Sequence, residues 1–389
     1  MRRTLLAMAV VFAALAAGVF WLRGGHEAAP PADTATVVSL LGSGDDDGFR
    51  RAARPGDIRL PRDHGSHDDY RSEWWYFTGN LTSADAREFG FQLTFFRFAL
   101  APPQPRESGW ATNQVYMAHF AVADRTADDH RVAERFARGA AGLAGITGKP
   151  FNVWLDDWSA ASTTAEFLPL QLSARDTATG IALSLRLQPG KPPVLQGDRG
   201  LSAKGAEPGN ASWYYSYTRL PAAGVVAVDG VNFEVTGLAW LDREWSTSSL
   251  AADVVGWDWF GLQLEDGRDL MLYALRHRDG SLAPQSAGSL VGTDGSRRAI
   301  WRDDFSVAPT KAWRSPATGV SWPTEWRVRV PDHGLELDVR AALDDQEQDV
   351  AVRYWEGAVD IFPAGGGARL GRGYMELTGY RRPPANRPR

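Results

Sequence analysis

From about Asp57 onward the apolar residues of this chain recur at every second position, not every third or fourth. Ile181, Leu183, Leu185 and Leu187 alternate with Ala182, Ser184 and Arg186. Phe89, Phe91, Leu93 and Phe95 alternate with Gly90, Gln92 and Thr94, and Val231, Phe233 and Val235 with Asn232, Glu234 and Thr236. Successive side chains of a strand point to opposite faces, so each run reads as a strand with one face buried. Turn signals follow at short intervals: Asp266-Gly267, Asp279-Gly280, Asp294-Gly295 and His333-Gly334. Sequential hairpins without long crossovers make antiparallel sheets, and closing such sheets into barrels removes their exposed edges. The expected fold is therefore all-β, built of antiparallel β-barrels. The best candidate for a helix, Asp129 to Ala141, is a short one.

A faint repeat runs through the pattern. Trp74-Trp75-Tyr76-Phe77 precedes Leu81, a polar turn and a Phe-rich strand ending at Arg97. Trp257-Asp258-Trp259-Phe260 precedes Leu264, a polar turn and an apolar strand ending at Arg276. Aligning Phe77 with Phe260 also aligns Leu81 with Leu264. A chain of 389 residues is long enough for two domains. The repeat suggests two related barrels, residues 57–228 and 229–381, divided near 222–230 where Pro221-Ala-Ala-Gly224 reads as a connection.

The remaining segments bear on location. Arg2 and Arg3 precede an apolar run from Leu5 to Leu22 that ends at Arg23. Residues 1–23 are at the upper length of a signal-peptide core and just long enough to span a bilayer. Leading arginines stay cytoplasmic, so the rest of the chain is expected to be exported to the periplasm. An uncleaved inner-membrane anchor is favoured, with secretion the outcome if the segment is cut. Residues 24–56, rich in Ala, Pro, Gly and Asp, read as a flexible tether, and 382–389 as a tail. The chain has no cysteine, which rules out disulfides, thiolate chemistry and lipoprotein acylation. The net charge of −5 and the absence of a basic cluster outside the termini argue against a nucleic-acid partner.

Sixteen tryptophans are more than packing normally asks for. The densest stretch runs from Gly237 to Arg276. There Asp242, Arg243, Glu244 and Asp258 lie among Trp240, Trp245, Trp257 and Trp259. Indole is costly to leave in water and a carboxylate is costly to bury unpaired. Together they suggest an apolar-walled site with a few fixed polar groups; a core Arg–carboxylate plug at a barrel end is the alternative. In strand phase Asp258 shares a face with Phe260, Leu262 and Leu264, where its pKa would rise towards that of a proton donor at neutrality. Asp242 and Glu244 share a face, opposite Arg243, and two nearby carboxylates invite acid/base work. They equally invite Arg97, Arg219, Arg243 or Arg276 to neutralise them.

Four further groups join the candidates. Glu73, beside Trp75, would be neutral or salt-bridged if buried. His119 lies in an apolar strand, Tyr116 to Val122, and is either a satisfied core histidine or a ligand contact that relays protons. Tyr215 lies in the hydroxyl-rich strand Ser212 to Arg219, which is suited to orienting a ligand or to packing between domains. Glu356 and Glu376 are acids within aromatic C-terminal strands. Asp63-His64-Gly65-Ser66-His67 has metal-ligand spacing but no obvious third ligand, so no metal site is assigned. Nucleotide, dinucleotide, zinc-protease and serine-elbow motifs are absent, and no cofactor is expected.

Several motifs occur in order: Glu73-Trp-Trp-Tyr-Phe-Thr-Gly-Asn-Leu81 preceded by His67, Phe89 to Arg97, Ala118 to Val122, Trp240-Leu-Asp-Arg-Glu-Trp245, Gly256-Trp-Asp-Trp-Phe260 and Gly373 to Tyr380. They resemble the AttH/CrtC-like family, which includes carotenoid 1,2-hydratases and predicted secreted hydrolases, across most of residues 57–380. The resemblance implies two lipocalin-like (calycin) barrels in one chain, an exported location, a long hydrophobic ligand such as a lipid or isoprenoid, and association with an ABC-type export system. It allows a cofactor-free hydratase or hydrolase using Asp258, Asp242 and Glu244, or a purely structural export subunit. The ligand-contact set would be Glu73, Trp75, His119, Tyr215, Arg243, Trp245, Trp257 and Trp259. The hydratase branch carries histidine near the stretch matching Asp242 to Trp245, where this chain has none, so it sits nearer the AttH-type branch.

Overall fold

In the computed structural model residues 46–381 are described, except 106, 107, 249 and 252. The segment 1–23, the tail 382–389 and the tether up to residue 45 lie outside the described residues. Among the described residues no helix is long and apolar enough to cross a membrane. Their helical content is three 3-10 turns, Arg62–His64, Arg302–Asp304 and Pro331–His333. The remaining regular structure is strand.

The first sheet begins with a meander of β1 (Ser72–Ser83), β2 (Glu88–Ala99), β3 (Gln114–Asp124) and β4 (Asp129–Arg138). Five short strands follow: β5 (Ala144–Gly148), β6 (Phe151–Leu155), β7 (Trp158–Ser162), β8 (Leu170–Asp176) and β9 (Ile181–Leu187). Two fragments, β10 (Val194–Leu195) and β11 (Leu201–Ala203), lead into the long hairpin of β12 (Ala211–Val228) and β13 (Val231–Ser246). The second sheet has a meander of β14 (Val254–Leu264), β15 (Asp269–His277), β16 (Ala287–Val291) and β17 (Arg297–Ile300). It continues with β18 (Ser306–Arg314), β19 (Ser321–Val330), β20 (Leu335–Ala341), β21 (Glu347–Asp349), β22 (Arg353–Pro363) and β23 (Gly371–Leu377).

The strand order is β4-β3-β2-β1-β13-β12-β9-β8-β7-β6-β5 in the first sheet and β17-β16-β15-β14-β23-β22-β20-β19-β18 in the second. All pairings are antiparallel. The first sheet is a nearly closed barrel and the second a half-barrel. In each, a four-strand meander is closed by the sheet's last strand pairing with its first. The repeat seen in the sequence falls on these equivalent first strands. Leu81 of β1 lies opposite Gly237 of the closing strand, and Leu264 of β14 opposite Gly371 of its own.

Three sequence expectations change. Asp129–Arg138 is strand β4, because the helical count of apolar positions is overridden by pairing with β3 along its whole length. The division near 222–230 is the β12–β13 hairpin turn at Asp229-Gly230, where both residues have positive φ. The chain passes from the first sheet to the second between Ser246 and Val254 instead, so Trp240 to Trp245 belongs to the first barrel. Finally, the tether is tied down from Asp46 onward. Ala52 is buried in the barrel core, and Arg71 and Arg51 reach Asp46 at 3.0 and 3.1 Å.

Alternation sets the packing. Ile181, Leu183, Leu185 and Leu187 are buried inside the first barrel, while Ser184 and Arg186 face solvent. In β2 both faces are buried: Phe89, Phe91, Leu93 and Phe95 point into the barrel, and Gln92 and Thr94 point towards the second sheet. The two sheets approach closely. A Cβ on Gly90 would lie 2.8 Å from that of Ala358. Asn80 Nδ2 donates to Gly373 O at 2.9 Å, and Gln263 Nε2 to Thr218 O at 2.7 Å. Buried Asp269 of β15 takes Arg219 and Lys191, each at 2.7 Å, and the Thr218 hydroxyl at 2.8 Å. A buried carboxylate is tolerable only with such partners.

Candidate functional site

Strand parity sorts the aromatic and acidic residues into three places. On β1 the odd positions Glu73, Trp75 and Phe77 point into the first barrel, and the even positions Ser72, Trp74 and Tyr76 point towards the second sheet. On β13, Arg243 and Trp245 point inward and Asp242 and Glu244 outward. On β14, Trp257 and Trp259 point towards the first barrel, while Asp258 faces the interior of the half-barrel. The outward-facing sets of both sheets enclose a cleft of about 1140 Å³, counting space open to solvent at its mouth.

Half-buried rings of Trp74, Phe96, Phe98 and Trp257 form the apolar part of this cleft, with Met117, Leu275 and Val352. Buried rings of Tyr76, Tyr214, Trp259, Tyr273 and Tyr354 lie among them. Trp259 keeps its place because Gly261 has no side chain: a Cβ there would come within 2.3 Å of the indole. Four carboxyls complete the lining: Asp242, Glu244, Glu356 and Glu376. Lys204 is the cation among the lining residues.

The four acids sit in different environments. Asp242 accepts from Tyr214 Oη and Ser216 Oγ, each at 2.5 Å, and from Trp240 Nε1 at 2.8 Å. Burial pushes its pKa up to about 7, against those hydrogen bonds and with help from Glu244. Glu244 accepts from the Ser212 hydroxyl and pairs with Lys204 at 2.9 Å. Glu356 and Glu376 are direct cross-strand partners on β22 and β23. Burial and the neighbouring carboxyl hold Glu356 well above the usual range. Burial, then Asp242 and Glu244, push Glu376 up to about 8, opposed by a hydrogen bond from Trp257. Gln92 Nε2 donates to Glu356 at 2.8 Å and to Tyr354 Oη at 3.1 Å.

The candidate residues are thus divided. Asp242, Glu244, Trp257 and Trp259 line the cleft. His119 lies one layer behind it, between Tyr354 Oη at 2.6 Å and Glu134 at 3.0 Å. Asp258 does not reach the cleft; it is clamped by Arg276 at 2.9 Å and Tyr380 at 3.0 Å, with burial raising its pKa to about 6. Glu73, Trp75, Tyr215, Arg243 and Trp245 are packed inside the first barrel, away from the cleft. There Glu73 is held by both Arg97 and Arg243, and lies well below the usual carboxylate range despite its burial. Arg243 stacks over Trp75 at 3.8 Å, and His67 over Trp245 at 3.9 Å. Tyr215 bonds His64 Nδ1 at 2.7 Å, and His64 stacks on Phe167 at 3.6 Å. That region is an Arg–carboxylate plug whose acid is Glu73, not Asp242, Glu244 or Asp258. Among the described residues no group of three or more His, Asp or Glu is arranged to hold a metal.

Lys204, Tyr76, Tyr214, Tyr354 and Gln92 were not anticipated as site residues. Tyr214 and Tyr76 adjoin residues that were, and strand parity alone distinguishes Tyr214 from Tyr215. Lys204 lies in a loop, with no periodic signal to find it by.

A profile of the AttH-like family matches residues 51–380. No curated protein matches by sequence. Among solved structures, the chain is similar to an AttH protein of Nitrosomonas europaea. The identity is 35%, the TM-score 0.75, and 84% of this chain and 99% of that one are covered. Kievitone hydratase of Nectria haematococca shares the fold at 12% identity, with TM-score 0.63 and coverage of 85% and 98%.

Proposed function

From the premise that this chain belongs to the AttH-like family, we propose that it binds a long hydrophobic molecule, a lipid or isoprenoid, in the cleft between its two sheets. The observation that carries this reading is the partly exposed aromatic rim of Trp74, Phe96, Phe98 and Trp257 above a floor of fixed polar groups. Rings left partly in water lose that cost when an apolar ligand covers them. The test is fluorescence of the delipidated protein titrated with farnesol or decan-1-ol. Saturable quenching that weakens in Trp257→Ala supports the reading, and its absence with both probes counts against it.

A second reading is cofactor-free hydration, favoured by Asp242. A carboxyl titrating near 7 still holds its proton in much of the population at neutrality. It would give that proton to one carbon of an isolated alkene, the π electrons forming the new C–H bond. Indole faces would stabilise the carbocation left at the other carbon. Water would then add to that carbon and lose a proton to Glu244 or to the Asp242 carboxylate. Asp242→Asn should abolish the gain of one water by an acyclic carotenoid while binding survives. Kievitone hydratase, whose name states a hydration, has the same fold, which is compatible with this chemistry.

Export and an inner-membrane anchor rest on the sequence of residues 1–23, and an ABC-type partner on the family resemblance alone. Fractionation of cells expressing the full chain tests them: recovery in washed inner membranes supports an anchor, and recovery in the cytosol opposes export.

A further inference from the structure

Three of the four cleft carboxyls, Asp242, Glu356 and Glu376, make no salt bridge among the described residues. Lys204 is committed to Glu244. Elsewhere in this molecule buried acids are met by cations: Glu73 by two arginines, Asp258 by Arg276, and Asp269 by Arg219 and Lys191. The cleft departs from that pattern at its most crowded point, where Glu356 and Glu376 face each other across β22 and β23. Two carboxylates so placed cannot both ionise unless a cation joins them.

A second observation points the same way. The Tyr76 hydroxyl and Glu356 Oε1 are both buried and lie against each other, yet neither completes a well-aligned hydrogen bond within the protein. Unsatisfied buried polar atoms are few in folded proteins and each calls for a partner. Both line the cleft.

We infer that the Glu356–Glu376 pair, with Tyr76, is a subsite for an ammonium group carried by the hydrophobic ligand. This rests on the reading of the cleft as a ligand site and names the ligand as a cationic amphiphile. An ammonium has three N–H donors, and the subsite offers three acceptors: Glu356 Oε1, the Glu376 carboxylate and the Tyr76 oxygen. Its charge lets the pair ionise together, and charge-assisted bonds in a water-poor cleft are the strong ones. The nearby indoles of Trp257 and Trp259 present faces or edges to the alkyl chain behind it.

The test compares decylammonium, decan-1-ol and decyl sulfate binding to the delipidated full chain, at about 0.15 M salt to screen the general negative charge. Decylammonium should bind roughly tenfold or more tightly than the alcohol, and the sulfate more weakly than either. The preference should fall to about twofold or less in Glu376→Gln, whose half-buried position makes it the safer variant, and in Glu356→Gln where that variant keeps its melting temperature. Equal binding of alcohol and ammonium by the unaltered protein overturns the inference while leaving the hydrophobic cleft intact. A preference that survives both substitutions also overturns it, since the charge would be read elsewhere. No binding of any of the three probes overturns the cleft reading itself, and the inference with it.

Discussion

The indole N–H of Trp259, on the second sheet, donates to the hydroxyl of Tyr214 on the first at 3.1 Å, and that hydroxyl donates onward to Asp242. One phenol thus joins the two sheets and sets the environment of the cleft's most acidic candidate donor. Removing it in Tyr214→Phe leaves the buried Trp259 N–H without an acceptor, at a cost of about 1–3 kcal/mol. It also removes one of the three donors that restrain the Asp242 pKa, so that pKa should rise further above 7. Thermal unfolding and carbon-detected titration of the Asp242 carboxyl check the two effects. A lower melting temperature with an unmoved titration would show that Tyr214 only packs.

Asp242 should make the protein less stable as pH rises. Unfolded, its carboxyl titrates near 3.8; folded, near 7. Between those values the folded state holds a proton that the unfolded chain has released, so stability falls as pH climbs from about 4 to about 7. Above 7 the full penalty remains, on the order of 4 kcal/mol at most. Glu376, raised to about 8, adds in the same direction over a window reaching one unit higher. Asn at 242 resembles the protonated acid, able to donate to Tyr214 while accepting from Trp240. Asp242→Asn should therefore raise the melting temperature at pH 8.5 and change it little at pH 5. An equal shift at both pH values would mean that the carboxyl is not titrating in this window.

Glu73 should behave in the opposite way. Its pKa is lowered well below the ordinary value, so its contribution is present at neutral pH and lost as pH falls below about 4.5 towards the folded value. Glu73→Gln leaves Arg97 and Arg243 buried with their charge uncompensated, a cost of about 3–5 kcal/mol. Asp258→Asn should likewise destabilise, through Arg276, without changing ligand affinity in the cleft. Melting curves and farnesol titrations of both variants decide this. A variant with normal stability and lost binding would return that residue to the site.

Much of this architecture was legible in the sequence, because period-two burial is a local property. Ile181 to Leu187 announces its buried face, and each Asp-Gly turn places its own glycine at positive φ. The aromatic-plus-acid region was also legible as a region. What parity could not reveal was which face of a doubly buried strand meets a cavity. Trp245 and Glu244 are neighbours in sequence, both buried, yet one plugs a barrel and the other lines the cleft. That distinction depends on the second sheet covering β1, β2 and β13, a long-range contact that leaves no periodic trace. Asp258 shows the same limit: the apolar strand face it shares with Phe260, Leu262 and Leu264 points into the half-barrel, where Arg276 pairs with it.

Gly261 is not among the residues that line the cleft, but it positions Trp259, which is. Gly261 lies two residues from Trp259 on the same face of β14, and its missing side chain is the space the indole occupies. A methyl at that position would contact the ring at less than van der Waals distance, so the indole must rotate or shift outward. Its N–H would then leave Tyr214, and its face would enter the cleft. Gly261→Ala should therefore weaken farnesol binding about tenfold and blue- or red-shift the tryptophan emission, while Glu73 and the barrel plug hold the first domain's fold. Because position 261 pairs with Met271 and Tyr374 through backbone atoms alone, the ladder itself tolerates alanine there. Unaltered emission and affinity in a folded Gly261→Ala protein would show that the position of Trp259 does not define the binding surface.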